Sequence, residues 1–316
     1  MRYIKDLKEG SRLQEIYLCK VKTQAETKNG KPYHRITLMD KTGSLESNVW
    51  EPYSAAIEEY EAGDFIEVMG TVNVFNGALQ GKIDRIRKCS EGEYDPREYY
   101  PSTDKDVEEM YAELLDIIAT VKTPCLQSLL KKFFIDDEMF VEAFKKSSAA
   151  KSVHHGFIGG LLEHTLSVTK LCIYYTSSYA YLNYDLLITA AICHDMGKTR
   201  ELSLFPENDY TDMGQLLGHI VLGAQMVAER AKEIEGFPAV LLHELQHCIL
   251  AHHGEYEYGS PKKPAIAEAV ALNYADNTDA KLETFKELLE KSEKVPTDWL
   301  GYNKLFESNM RKTSEA

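Results

Sequence analysis

Ten histidines occur in this chain, and nine of them fall between His154 and His253, leaving only His34 outside. His164 sits in GGLLEHTLSV, His194 and Asp195 in AAICHDMGK, His219 in LLGHIVLG, His252 and His253 in LAHHGEYEYGSP, and Asp276 in LNYADNTDAK. A lone histidine on an apolar helix is usually a hydrogen-bonded core residue. So many of them, joined by aspartates on separate apolar stretches, would carry a desolvation cost with no evident offset other than a cation. Imidazole nitrogens with a few carboxylates suit Mn, Fe, Co, Ni or Zn, whereas Mg or Ca calls for mostly oxygen donors. The adjacent pair His194-Asp195 is central, because an aspartate has two oxygens and can bridge two cations while the histidine binds one. Two cations about 3.5–4 Å apart activate a water and clamp phosphoryl oxygens, which is phosphate-ester hydrolysis. The expected cofactor is therefore a divalent transition metal, two ions, with His164, His194, Asp195, His219, His252, His253 and Asp276 as ligands.

Other residues nearby compete for a role. Lys198, three residues after Asp195, is placed to reach a phosphate or the activated water and is expected to be catalytic beside Asp195; a solvated lysine just past a helix end is the plainer alternative. His154 and His155 precede two glycines and the helix that carries His164, a turn that lets backbone N–H groups approach an anion, so His155 is a candidate substrate contact. His243-Glu244-Leu245-Gln246-His247 matches the H-E-x-x-H pattern of zinc proteases, but no third ligand is obvious and such short patterns arise by chance in histidine-rich helices. His243 is read as structural and His247 as supporting or substrate-facing. Cys193 and Cys248 fit a core-filling role.

These residues need elements to hold them. Residues 105 to 295 show helical periodicity throughout, with apolar positions at three- and four-residue intervals, and each candidate ligand lies on or at the end of a separate helix, so packing the helices brings the polar groups to one centre. Residues 1 to 90 read differently. IYLCKV, HRITLMD, LESNVW, DFIEVMGTVNVF and LQGKIDRIRK are strand-like, with turns at Asn29-Gly30, Asp40 to Gly43 and Asn76-Gly77, and a helical stretch is expected near Tyr53 to Tyr60. Five strands with one helical insertion is the count of an OB-fold barrel; an SH3-like barrel fits the count nearly as well. Residues 91 to 104, polar and carrying two prolines, read as an exposed linker, and 296 to 316 as a polar tail. The expected architecture is thus multi-domain, an N-terminal all-β barrel followed by an all-α metal-binding domain.

The net charge of −14 argues against a polyanionic partner, but it is unevenly spread. Residues 1 to 90 hold 14 of the 36 Lys+Arg and 13 of the 50 Asp+Glu, which leaves 22 basic against 37 acidic residues beyond them. The barrel is the part suited to nucleic acid. An OB-fold grips single strands by stacking bases on aromatic rings beside basic groups, and Tyr33, Trp50 and Phe75 with Lys31, Arg35 and Lys82 are the candidates. No stretch approaches the roughly 18 apolar residues of a spanning helix, and the N-terminus lacks an apolar signal core. With six scattered cysteines and no C-x-x-C pair, this reads as a cytoplasmic protein with reduced thiols and no membrane partner. A homo-oligomer is compatible with the sequence.

The order His164, His194-Asp195, His219, His252-His253, Asp276 resembles the HD-domain phosphohydrolases, and the histidines beyond the minimal H, HD, D set look like the two-metal branch. The run KNGKPYHRITLMDKTGSLESNVW resembles OB-fold nucleic-acid binders. Together with HHGFIGGLLEHTLSV, ICHDMGKTREL, GQLLGHIVLG, ILAHHGEYEYGSP and YADNTDAK, it makes nearly the whole chain similar to the YhaM family of bacterial 3′-to-5′ exoribonucleases. Gly156 departs mildly from that pattern, standing where a small residue such as alanine is expected. The resemblance implies Mn- or Co-stimulated removal of nucleotides from a single-stranded 3′ end, RNA favoured and DNA open. The ligand division that follows gives Asp195 the bridge, His164, His194 and Asp276 one ion, and His219, His252 and His253 the other. The rival expectation is a phosphodiesterase or phosphatase for small or cyclic nucleotides, for which a barrel would be unnecessary. A non-catalytic nucleic-acid-binding regulator would not need so full a ligand set.

Overall fold

The computed structural model describes residues 2–27, 29–151, 155–205, 207–291 and 297–314; His154 lies outside them. The chain divides into two compact units, Met1–Ser102 and Thr103–Ala316. In the first, β1 (Arg12–Glu26), β2 (Pro32–Asp40), β3 (Gly43–Val49), β4 (Phe65–Phe75) and β5 (Ala78–Lys88) close a barrel in the order β1-β2-β3-β5-β4. The parallel pairing of β3 with β5, Ser47 to Val49 against Gly81 to Ile83, closes a Greek-key path, which decides for the OB-fold. Alternation fills the interior: Leu13, Tyr17, Ile36, Leu38, Ile66, Val68, Val72, Ile83 and Ile86 are all buried in one cluster.

Two expectations for this unit are corrected. No helix forms near Tyr53 to Tyr60. The backbone there pairs with the barrel instead: Ile86 N–H donates to the Ala56 carbonyl and Glu58 N–H to the Ile86 carbonyl, so these groups are lost to a helical ladder. Nor are Tyr94 and Glu98 to Tyr100, within 91 to 104, part of an exposed linker. Tyr94 stacks on Phe65 with ring centroids 3.7 Å apart, Tyr99 meets the same ring edge-on at 4.9 Å, and Lys41 pairs with Glu98 at 2.9 Å. Three tyrosines in a short acidic stretch had apolar surface to bury, and the barrel wall receives it.

The second unit consists of α1 (Val107–Thr120), α2 (Pro124–Phe134), α3 (Glu138–Lys146), α4 (Gly160–Ser178), α5 (Tyr184–Cys193), α6 (Lys198–Glu201), α7 (Asp212–Ala231), α8 (Ala239–Ala251) and α9 (Ala267–Lys291). A hairpin of β6 (Trp299–Asn303) and β7 (Ser308–Arg311) occupies what reads in sequence as a plain polar tail. α5 decides the layout. Every residue from Leu186 to Cys193 is buried, as a helix apolar on all sides must be, and Asn183 caps its start by accepting from Leu186 N–H. This central rod delivers His194 and Asp195 into the interior, with α4, α8 and α9 packed around it. α7 is broken at Gly218, whose φ of 71° and ψ of 157° leave the helical region just before His219. Gly197 makes room for that break: a Cβ there would lie 2.1 Å from the His219 carbonyl oxygen.

Candidate metal centre

The seven residues singled out by type and spacing converge. α4 contributes His164, the end of α5 His194 and Asp195, α7 His219, the end of α8 His252 and His253, and α9 Asp276. The two oxygens of Asp195 face different neighbours. Oδ2 lies 3.5 Å from Nε2 of both His164 and His194, while Oδ1 lies 3.4 Å from His219 Nε2 and 3.6 Å from His252 Nε2. Asp276 Oδ1 adds to the first side, 3.1 Å from His164 and 4.0 Å from His194. His253 adds to the second, in a group with His219 and His252.

The five imidazoles are aimed by their other nitrogen. Nδ1 of His194, His252 and His253 each donates to a backbone carbonyl, of Ala191, Ile249 and Tyr258 respectively, at 2.7 Å in every case. Nδ1 of His164 meets Asp279 at 2.7 Å and Nδ1 of His219 meets Glu201 at 3.0 Å. Anchoring Nδ1 leaves Nε2 to turn a lone pair inward, the arrangement that holds a metal-binding imidazole in one tautomer. Asp195 Oδ1, His219 Nε2 and His252 Nε2 are buried without a hydrogen-bond partner among the described residues. Three acceptors so placed fit a divalent cation.

Electrostatics agree. Burial opposes charge on Asp195, yet Lys198 and His194 outweigh it and hold its carboxyl well below the usual range. Burial likewise opposes charge on His164, but Asp276 and Asp279 raise it to about 10. The carboxylates demand positive charge at that point, and a cation supplies it in place of the proton. Burial, helped by the neighbouring His252 imidazole, pushes His253 down to about 4, so it stays neutral and able to ligate near pH 7.

A cavity of about 440 Å³ adjoins the cluster, lined by His155, His164, Lys198, His253 and Asp276 together with Tyr258, Asn273, Asn277 and Lys281. Lys198 Nζ lies 2.6 Å from Asp195 Oδ2, which keeps the amine charged against its burial. It is thus not the solvated lysine of the plainer reading. The H-E-x-x-H pattern does not assemble: His243 is exposed, and His247 Nε2 accepts from Ala265 N–H at 2.9 Å.

Sequence reasoning missed Asp279, Glu201 and Lys281. Asp279 could have been found, since it follows Asp276 by three on one helix and so shares its face. Glu201 could not, because it reaches His219 only through the break at Gly218; its Oε1 also accepts the His219 N–H freed there, at 3.0 Å. Glu201→Ala is expected to leave His219 unaimed and weaken divalent-ion uptake about 10–100-fold. Titration with Mn followed calorimetrically would show weaker binding than in the unaltered chain; an unchanged isotherm would count against this anchoring.

On the barrel, Trp50 and Phe75 are 44% and 61% exposed, and Lys31 and Lys82 reach solvent. Tyr33 is buried, stacked on Trp50 at 4.8 Å, so its ring backs Trp50 and does not offer an open face. Arg35 donates to the Tyr33 hydroxyl at 3.2 Å, and Lys82 pairs with Asp84 at 3.3 Å. Lys31 lies at the β1–β2 turn and Phe75 at the β4–β5 turn, the loops through which OB-folds take oligonucleotides. Tyr53, 71% exposed, joins this set and was hidden in the expected helix.

A family model described as the HD domain matches residues 161–281, a span that contains every candidate ligand. A protein of Geobacillus sp. (strain WCH70) named 3′-5′ exoribonuclease YhaM is 34% identical over 285 residues, covering 89% of this chain and 86% of its own. Its namesake from Bacillus subtilis (strain 168) is 33% identical over 284 residues, 89% of each chain. The chain belongs to the YhaM family. Its HD domain is a divalent-metal-binding one, and the His/Asp groups described above are where such an ion fits. The match to other YhaM proteins runs across both units, so the barrel is part of what the family shares. Among solved structures, the second OB-fold domain of replication protein A from Methanococcus maripaludis is 22% identical over 29% of this chain and 98% of its own, with a TM-score of 0.23, a likeness too slight to add to the strand order. No helix among the described residues is long and apolar enough to cross a membrane.

Proposed function

We propose that this chain is a metal-dependent 3′-to-5′ exoribonuclease that hydrolyses phosphodiester bonds of single-stranded RNA, and accepts single-stranded DNA by the same chemistry. The observation that carries the reading is Asp195, whose two oxygens face two separate sets of imidazoles, in a chain whose relatives are named exoribonucleases. His164, His194 and Asp276 would hold one ion and His219, His252 and His253 the other, with Asp195 between them. Mn is the first choice, with Co, Fe, Ni and Zn compatible with the same donors. When bound, two such ions supply a nucleophile from water and neutralise charge on the phosphoryl oxygens.

The chain's own groups do the rest. Lys198, kept charged by Asp195 and lining the cavity, offers a positive charge to a phosphoryl oxygen. Anchored Nδ1 atoms keep the imidazoles from rotating, so the site is in place before substrate arrives. The exposed rings of Trp50, Tyr53 and Phe75 stack bases and Lys31 meets phosphates, which raises the effective concentration of the strand end. Work on RNA of this kind belongs in the cytoplasm.

A phosphodiesterase for cyclic dinucleotides would use the same metal chemistry but gain nothing from the barrel. With Mn present, kcat/KM for a single-stranded RNA is therefore expected to exceed that for a cyclic dinucleotide by about 10²-fold or more. Equal values would move the substrate from a strand to a small nucleotide.

A further inference from the structure

His155 has features that metal binding does not require. Its backbone lies at φ 55°, the left-handed region that residues other than glycine enter at a cost, and its side chain is 3% exposed. Two contacts hold it there. The His155 carbonyl accepts from Ala149 N–H at 2.9 Å, and Gly160 passes so close that a Cβ on it would lie 2.0 Å from the same oxygen. In the ring, Nε2 lies 3.1 Å from Asp279 Oδ2. Asp279 is itself fixed on two more sides, by His164 Nδ1 and by the Ser167 hydroxyl, which donates to Oδ1. The remaining ring nitrogen, Nδ1, is buried without a hydrogen-bond partner among the described residues, on a side chain that lines the cavity. Backbone strain and an unpaired buried polar atom on one residue together point to a ligand group that the cavity takes in.

We propose that His155, oriented by Asp279, reads a hydroxyl group of the substrate's terminal ribose through Nδ1. The proposal rests on the exoribonuclease reading and adds to it the chemical group by which the strand end is recognised. The Asp279 carboxylate only accepts, so Nε2 carries its proton toward Asp279 and Nδ1 is left for the substrate. Nδ1 then accepts: a phosphate oxygen has no proton to give it and the N–H donors of base edges differ from base to base, whereas a ribose hydroxyl is a donor that every RNA end presents. In a strand cleaved from its 3′ end, the terminal ribose is the sugar next to the phosphate under attack. Lys198 and Asp276 line the same cavity as His155, so phosphate and sugar would be met within it.

The test uses the full-length protein and RNAs that differ only in the last sugar: ribose, 2′-deoxyribose or 3′-deoxyribose. The unaltered chain should remove at least one of the two deoxy ends about 5- to 100-fold more slowly, as measured by kcat/KM for the first nucleotide, because the missing hydroxyl leaves Nδ1 unpaired. The slower end identifies the hydroxyl. In His155→Gly, which tolerates the positive φ, that ratio should fall to near 1. Equal rates on all three ends in the unaltered chain would overturn the proposal, as would a His155→Gly protein that keeps the full ratio. If the all-ribose strand is not shortened at all, the exoribonuclease reading fails and this proposal fails with it.

Discussion

Asp195→Asn is expected to lower turnover by about 10³-fold or more on long RNA and on a small model phosphodiester alike, while far-ultraviolet circular dichroism stays helical. The size follows from what the carboxylate does. Its Oδ1 and Oδ2 face the two imidazole sets at 3.4 to 3.6 Å, so it is the one group common to both proposed ions. Asparagine keeps the shape but has one oxygen and no charge. Losing an ion that Asp195 would help to hold would forfeit several kcal/mol of charge stabilisation, and each 1.36 kcal/mol is tenfold in rate. The core that positions α5 is built from apolar side chains such as Leu187, Ile188 and Ile192, none of which depends on Asp195. His243→Ala makes the control, since that histidine is exposed and should leave the rate unchanged. Full activity in Asp195→Asn would remove the basis of the site.

Removal of residues 1–102 is expected to reduce kcat/KM on long single strands by about 10²-fold or more, yet to leave hydrolysis of the small phosphodiester within about threefold. The two units have separate cores, one inside the barrel and one among the helices, so the cut leaves the helical core whole. Its position matters. Truncation at residue 90 would strand Tyr94, Tyr99 and Tyr100 without Phe65 to pack on, and the exposed rings would confuse a binding effect with aggregation. Equal losses on both substrates would mean that the barrel braces the enzyme and does not hold RNA.

The barrel was legible because its turns and its alternation are local signals: Asn76-Gly77 adopts positive φ at both residues and joins β4 to β5 as the residue types demand. The stretch from Tyr53 to Tyr60 was not, since its backbone partners lie on β5, some thirty residues away in sequence, and helical spacing of apolar residues carries no trace of them. Among the site residues, types suited to metal stood out against apolar helices, and the structure brings the same seven together. What spacing could not show was how they are aimed. The Nδ1 anchors are mostly backbone carbonyls, which every residue has, and the two carboxylate anchors enter through tertiary packing: Glu201 by the break at Gly218, Asp279 by the meeting of α4 with α9. The strain at His155 was equally invisible, because it depends on Gly160 and Ala149 crossing its carbonyl.

The central claim is directional, metal-dependent removal of nucleotides from RNA, and a 5′-labelled single strand incubated with Mn tests it in one time course. A descending ladder of labelled products that halts before a stable 3′-terminal duplex, and that vanishes when a chelator replaces the metal, is the predicted result. Immediate release of a labelled mononucleotide, efficient cleavage of a circular strand, or a ladder that persists in chelator would contradict it.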